Sequence, residues 1–398
     1  MVKGARFLNQ GIQTLKLAQD LPMKILYDHQ AFSMQKYGGI SRYFYEVIRG
    51  MGKKQGFEIH LPILMSANAY LKDLNTVRYK RFEYIMKGFN WLVDYINRYH
   101  TIRKLADNAI PFDVFHPTYF DPYFLPYLSD KPYVLTIYDM IHELFPEYFS
   151  SFSKTSVNKE KLAREASLII AISENTKKDI IKFFGIEADK IRVIYLGVSP
   201  LPPVCDMNIS IPGNFLLFVG QRYEYKNFLT LVESIREILI RKNLSLICFG
   251  GGSFTRKEMV TLRELDISDR VISLSGNDQV LAHLYRSAIA YVCPSRYEGF
   301  GIPVLEAMSC GCPVASSNVS SLTEVGGDAV SYFSPDDKDS MAEAVERIVS
   351  DAGYRQELIE KGFVQAGKFT WDKAVDQICS VYEEALATIG FLGHNHAG

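Results

Sequence analysis

Short apolar runs rich in β-branched and aromatic residues recur along this chain, each followed by a stretch of helical periodicity. That alternation confines it to parallel sheets covered by helices. The first half carries such runs at residues 24–28, 57–64, 114–118, 133–138, 168–172 and 192–196. A proline-rich stretch, 200–212, then breaks the pattern and reads as a linker. The alternation resumes with runs at 215–219, 245–249, 271–274, 289–293, 313–316 and 330–333. The expected fold is therefore α/β, with two Rossmann-like, doubly wound parallel-sheet domains facing across a cleft. Residues 1–22 form an extension, 23–199 the first domain and 213–370 the second. From Trp371 to about residue 387 a periodic helix closes the chain and can pack back on the first domain, with a tail to 398.

Composition narrows the function. A formal net charge of −1 excludes the basic excess of a nucleic-acid binder, so no nucleic-acid partner is expected. The six cysteines follow neither a disulfide framework nor a paired C-x-x-C zinc pattern, and read as reduced thiols of a cytoplasmic protein. No run of 18 apolar residues occurs, which excludes an obvious membrane-spanning helix.

Open parallel sheets bind ligands beyond the carboxyl ends of their strands, so the loops that follow strands carry the chemistry. The most informative loop leaves the run at 289–293 as Cys293-Pro-Ser-Arg-Tyr-Glu-Gly-Phe-Gly-Ile-Pro-Val-Leu-Glu. Gly299 and Gly301 allow close backbone approach, Pro303 suits the first turn of a helix, and Gly311 suits its end. Amide groups at such a helix start favour an anion such as a diphosphate. Glu298 lies in the loop and Glu306 about one turn into the helix, leaning back toward the same ligand. Carboxylates would repel phosphate, so these two suit ligand hydroxyls, as sugars and ribose supply.

This segment resembles the E-x7-E signature of retaining glycosyltransferase family 4, with Glu298 and Glu306 as its glutamates, and the resemblance runs over nearly the whole chain from Met23. It implies the GT-B fold and an enzyme that uses a nucleotide-sugar donor. By that match Glu298 binds donor-sugar hydroxyls, Glu306 the nucleotide ribose, and the backbone of Gly299, Phe300 and Gly301 approaches donor sugar and phosphate. Arg222 and Lys226, in the loop after residues 215–219, match the Arg and Lys that the family sets against the departing diphosphate. Gly38 and Gly39 open a helix and resemble the family's glycine loop facing donor and acceptor, with Arg42 adding charge on the first turn. Many relatives place a histidine where this chain has Tyr138, so the contact to the transferred sugar falls to Asp139 or His142, which stand as alternatives. His116 reads as structural, and Ser173 as a helix cap.

The reaction implied is transfer of a hexose, with retention, from a nucleoside-diphosphate sugar, UDP preferred over GDP, to a saccharide or lipid-linked acceptor in polysaccharide or glycolipid assembly. No further cofactor and no metal is expected: the spacing of Asp336, Asp337 and Asp339 reads as an acidic helix start. Residues 72–104 hold eight basic and three acidic residues among Phe82, Tyr84, Phe89, Trp91, Tyr95 and Tyr99. This mixture suits peripheral contact with the inner face of a membrane. A helical insertion with buried aromatics has the same composition. Rival readings are a nucleotide-sugar-binding scaffold that lost activity, as Tyr138 suggests, and an epimerase or phosphorylase of similar fold.

Overall fold

A computed structural model describes residues 21–34, 36–74, 79–81, 90–150, 153–203 and 211–395. The extension before residue 21, Cys205, Phe82, Tyr84 and Phe89 lie outside the described residues.

In chain order the strands of the first half are β1 (Met23–Tyr27), β2 (Phe57–His60), the short β3 (Met65–Ser66) and β4 (Lys80–Arg81), β5 (Val114–His116), β6 (Val134–Ile137), β7 (Leu168–Ala171) and β8 (Ile191–Val193). They form parallel groups β2-β1-β5 and β6-β7-β8, joined where Phe115 bridges Tyr133. The pair β3-β4 stands apart. The second half forms one parallel sheet, β11-β10-β9-β12-β13-β14, from β9 (Phe215–Val219), β10 (Ser245–Phe249), β11 (Val271–Leu274), β12 (Ala290–Cys293), β13 (Val314–Ser317) and β14 (Val330–Phe333). Each expected run overlaps a strand. The run at 57–64 yields only four residues of strand, because Pro62 has no N–H to give a ladder.

Both sheets are covered on both faces, so their strands are nearly continuous in apolar residues, as in Val134–Ile137, all four buried. Alternation divides the second sheet's core. Leu216 and Phe218 face the helices Phe228–Arg241 and Lys338–Ser350, while Phe215 and Leu217 join the larger core on the other side.

Strand order decides where a ligand can sit. In the second sheet the chain starts at β9, winds outward through β10 and β11, then returns to place β12 on the other side of β9. The loops after β9 and β12 therefore diverge and open a crevice at the topological switch point. The first sheet does the same between β1 and β5.

The terminal helix Trp371–Asn395 packs on the first domain's helix Gly39–Met51 and on β5 and β6. Buried Tyr382 anchors it: its hydroxyl lies 2.8 Å from that of Tyr27 and 2.6 Å from His116 Nδ1. His116 Nε2 continues to Thr136 Oγ1 at 2.9 Å. Arg192 adds an ion pair to Glu384. The chain thus crosses between domains twice, and the crossings touch. Val198 N–H donates to the Phe369 carbonyl at 3.0 Å, and Trp371 Nε1 donates to Ser199 Oγ at 3.0 Å. A side chain on Gly197 would come within 2.3 Å of the Trp371 nitrogen.

Replacing Tyr382 with Phe strands His116 Nδ1 in the core and leaves the Tyr27 hydroxyl only the Met51 sulfur. Denaturant unfolding should register a loss of about 1–3 kcal/mol, the cost of one buried group left unpaired. Burial also pushes the His116 imidazole down to about 3. The unfolded chain then binds the extra proton between its ordinary value of about 6.5 and about 3. The stability this group contributes is complete above pH 6.5 and drains as pH falls through that window. A His116→Asn variant should show a flatter acid limb in thermal melts.

Candidate functional site

At the second sheet's switch point, the loops after β9 and β12 meet through one ion pair. Lys226 Nζ donates to Glu298 Oε1 at 2.6 Å, and Ser295 Oγ donates to the same oxygen at 2.6 Å. Burial alone would lower the Lys226 pKa, but Glu298 and Tyr225 more than reverse this and hold the ammonium above its ordinary value. Glu298 is fixed at its backbone too, its N–H donating to Ser320 Oγ and its carbonyl accepting from Ser321 Oγ.

Glu306 is almost fully buried on the helix Ile302–Ser309, which has Pro303 in its first turn and Gly301, at φ +98°, as its cap. Its partner comes from the opposite domain: Arg42 Nη1 donates to Glu306 Oε1 at 2.9 Å. Burial raises the Glu306 carboxyl above its ordinary range, and Arg42 opposes this only in part. Arg42 stands on the first turn of Gly39–Met51, capped by Gly38. A side chain at Gly39 would meet nothing within 4 Å, so the glycine loop leaves open space.

Further contacts close the two domains on each other. Glu324 accepts the amides of Glu174 and Asn175 at 2.8 and 2.7 Å, capping the first-domain helix Glu174–Phe184 from across the cleft. A carboxylate at a helix start is favoured by unsatisfied N–H groups and by the macrodipole. Tyr297 donates its hydroxyl to Asp179 at 2.9 Å. Gly299 packs directly on the first domain: a Cβ there would lie 1.9 Å from the Tyr138 carbonyl oxygen and 3.1 Å from Asp139 Cβ.

Other expected residues sit differently. Arg222 is not an exposed loop cation. Its side chain is 3% exposed, paired with Glu258 at 2.9 Å and donating to the carbonyls of Gly250, Gly251, Gly252 and Ser253. It braces the glycine loop after β10 from inside, because Glu258 in the capping box begun by Thr255 offers a buried counter-charge. Phe300 turns its ring into the core against Tyr195 and Phe369, leaving only its backbone toward the cleft. Tyr138 likewise points inward, among Tyr43, Phe44 and Phe120, so the missing histidine is not replaced by a phenol in the cleft.

Asp139 and His142 lie on the loop after β6. Asp139 Oδ1 accepts the Ile141 amide at 3.1 Å, starting the turn Ile141–Leu144. His142 stacks on Phe149 at 3.8 Å, and its buried Nδ1 has no partner. Burial, then nearby Lys159, lowers its pKa, so the ring is neutral at pH 7. Lys159 itself is buried, bonded to Glu143 at 2.9 Å and to the Asp139 carbonyl at 3.0 Å. This pair, Glu324, Tyr297 and Glu258 escape sequence reading. The signal available was the Thr255-Arg-Lys-Glu258 capping pattern. Ser173 caps its helix, accepting from the Thr176 amide. Asp337 is the cap of Lys338–Ser350, accepting the amides of Asp339 and Ser340, and Asp336 pairs with Arg296.

Gly299→Ala should prop the domains apart. Small-angle scattering should show a larger radius of gyration, and any transfer activity should fall by about 10²-fold, as for a displacement of about 1 Å at reacting groups.

Comparison with known proteins agrees with this geometry. Residues 37–200 match the family model for Glycosyltransferase Family 4, and residues 208–365 that for Glycosyl transferases group 1. The chain is 30% identical over 302 residues to an uncharacterized glycosyltransferase of Methanocaldococcus jannaschii, covering 70% of this chain and 77% of that one. It is 30% identical over 277 residues to the O-antigen chain mannosyltransferase B of Escherichia coli, covering 66% and 72%. Among solved structures, sucrose-phosphate synthase from Thermosynechococcus elongatus superposes with a TM-score of 0.71 at 18% identity, covering 92% of this chain and 100% of that one. Anabaena HepE in complex with UDP and glucose gives 0.66 at 18%, covering 91% and 99%. Two facing Rossmann-like sheets, a charged crevice at the switch point and 30% identity across most of a known glycosyltransferase lead to one assignment: the chain belongs to glycosyltransferase family 4 and has the GT-B fold.

Proposed function

We propose that the protein transfers a hexose, with retention at the anomeric carbon, from a nucleoside-diphosphate sugar to a hydroxyl of a saccharide or lipid-linked acceptor. Residues 23–199 act as the acceptor domain and 213–370 as the donor domain. The observation that carries this reading is the Lys226–Glu298 pair joining the two switch-point loops at 2.6 Å. Lys226 neutralises charge on the departing diphosphate, and the amides at the start of Ile302–Ser309 assist. Glu298 takes donor-sugar hydroxyls and Glu306 the ribose hydroxyls. The sugar–phosphate C–O bond breaks, the acceptor oxygen bonds to the anomeric carbon, and its proton passes to the leaving phosphate. Asp139 or the neutral His142 positions the sugar from the first domain. Arg222 contributes indirectly, by holding the 250–252 loop.

Each of the two carboxylates is paired with a cation, so donor binding exchanges these partners: ribose hydroxyls replace Arg42 on Glu306, freeing Arg42 to meet phosphate. A mannosyl donor deserves testing beside UDP-glucose, because a relative at 30% identity is named a mannosyltransferase.

The acceptor domain contacts the membrane through the helix Asn90–Ala106. Trp91, Tyr95 and Tyr99 recur every four residues on one face and are 65%, 62% and 56% exposed, so they are not the buried side of an insertion. Exposed aromatics beside Arg98, Arg103 and Lys104 suit an anionic lipid interface. No helix among the described residues is long and apolar enough to cross a bilayer.

Titration calorimetry with UDP, GDP, UDP-glucose and GDP-mannose tests the donor reading; absence of binding to all four overturns it. Glu306→Ala should weaken nucleotide binding by about 1.5–3 kcal/mol, as for hydrogen bonds to a charged group. Lys226→Ala should depress turnover by about 10²-fold or more. Asp337→Ala should leave both unchanged and lower stability by about 1 kcal/mol, the loss of one helix cap. For the membrane contact, wild-type protein should sediment with phosphatidylserine vesicles, and a Trp91→Ala/Tyr95→Ala variant should remain in the supernatant.

A further inference from the structure

A cavity of about 920 Å³ opens beside this site, where the two domains meet. Its walls come from both: Tyr148 and Phe149 from the first domain, Tyr223, Tyr225 and Phe228 from the second. Four rings form a nearly parallel run across the interface. Tyr148 stacks with Phe145 at 5.6 Å and 11°, Phe145 with Tyr225 at 6.2 Å and 19°, and Tyr225 with Tyr223 at 6.0 Å and 29°. Around them stand charged groups of both signs, including Glu224, Lys257 and Arg296.

We infer that this groove holds the acceptor as an extended saccharide chain, whose sugar rings lie on the shared aromatic run. The inference rests on the glycosyltransferase reading and deepens it. Sugars present an apolar C–H face bordered by hydroxyls. A wall of aromatic rings beside carboxylate, ammonium and guanidinium groups that keep donors and acceptors beyond their own ion pairs, Lys257 with Glu224 and Arg296 with Asp336, matches both parts at once. The volume lies near the top of the range for small-molecule sites, which suits a chain rather than a single sugar. Position supplies the second argument. Lys226 Nζ sits 5.5 Å over the Tyr225 ring and bonds Glu298, so the aromatic run passes beside the reacting centre at Tyr225. A chain lying on it brings a hydroxyl near Tyr225 toward the sugar to be transferred. Because each domain supplies two of the rings, the platform is complete only when the cleft is closed.

Tyr148 and Tyr223 are 37% and 58% exposed, so their truncation spares the core. The test uses the full chain, with α-linked mannotetraose, maltotetraose and the corresponding monosaccharides as probes. Calorimetry and saturation-transfer NMR follow them in the presence of UDP or GDP, and nucleotide binding is measured on the same samples. At least one tetrasaccharide should bind about tenfold or more tighter than its monosaccharide, as one or two added ring contacts allow. Tyr148→Ala/Tyr223→Ala should abolish that advantage and leave nucleotide affinity unchanged. If the wild type binds nucleotide and neither tetrasaccharide, or if the double variant binds the tetrasaccharide as well as the wild type, the groove assignment falls and the donor reading stands. Loss of nucleotide affinity in the double variant would make the groove a nucleobase clamp instead. Failure of the wild type to bind any nucleotide would remove the glycosyltransferase reading, and the groove assignment with it.

Discussion

The missing side chain at Gly299 sets how closely the two sheets can face each other. With any Cβ there the loop after β12 would collide with the Tyr138 carbonyl, and the domains would have to separate. Every cross-cleft interaction depends on that approach. Arg42 reaches Glu306 only because the helix starts of the two domains converge, and Glu324 can cap a helix in the other domain only at the same spacing. The helix starts and the buried carboxylates are thereby held in fixed places on the cleft wall, as preorganised electrostatic stabilisation requires.

The polar groups of the cleft are arranged as ion pairs. Burial raises the Glu306 carboxyl, so a charged Glu306 depends on a partner, which Arg42 supplies. Lys226 is held charged by Glu298 in the same way. The buried Lys159–Glu143 pair differs. It faces inward and grips the Asp139 carbonyl, so it steadies the loop after β6.

Much of this was legible in the sequence, for identifiable reasons. Strands buried on both faces announce themselves as apolar runs, and all twelve of the main strands fall where those runs lie. Ser173, Gly301, Pro303 and Asp337 act through local backbone chemistry, so their places at helix starts could be read from immediate neighbours. What could not be read was pairing between distant residues. Arg222 looks like a free cation until Glu258, 36 positions away, is folded against it. Tyr138 looks like a substitute for a cleft histidine until Tyr43, Phe44 and Phe120 enclose it. Glu324 carries no local signal at all, since its partners are two backbone amides about 150 residues earlier and the Tyr195 hydroxyl.

The terminal helix, pinned through Tyr382, makes the first domain discontinuous in sequence: its core needs residues from both ends of the described chain, with the second domain between them. The second sheet is contiguous, from Phe215 to Phe333, and can close without that helix. Synthesis therefore reverses the usual order of domain completion. The second domain can mature on the ribosome while Tyr27 and His116 still wait for a partner, and the first domain locks only after the helix Trp371–Asn395 has emerged. The cleft is thus assembled around an already finished half.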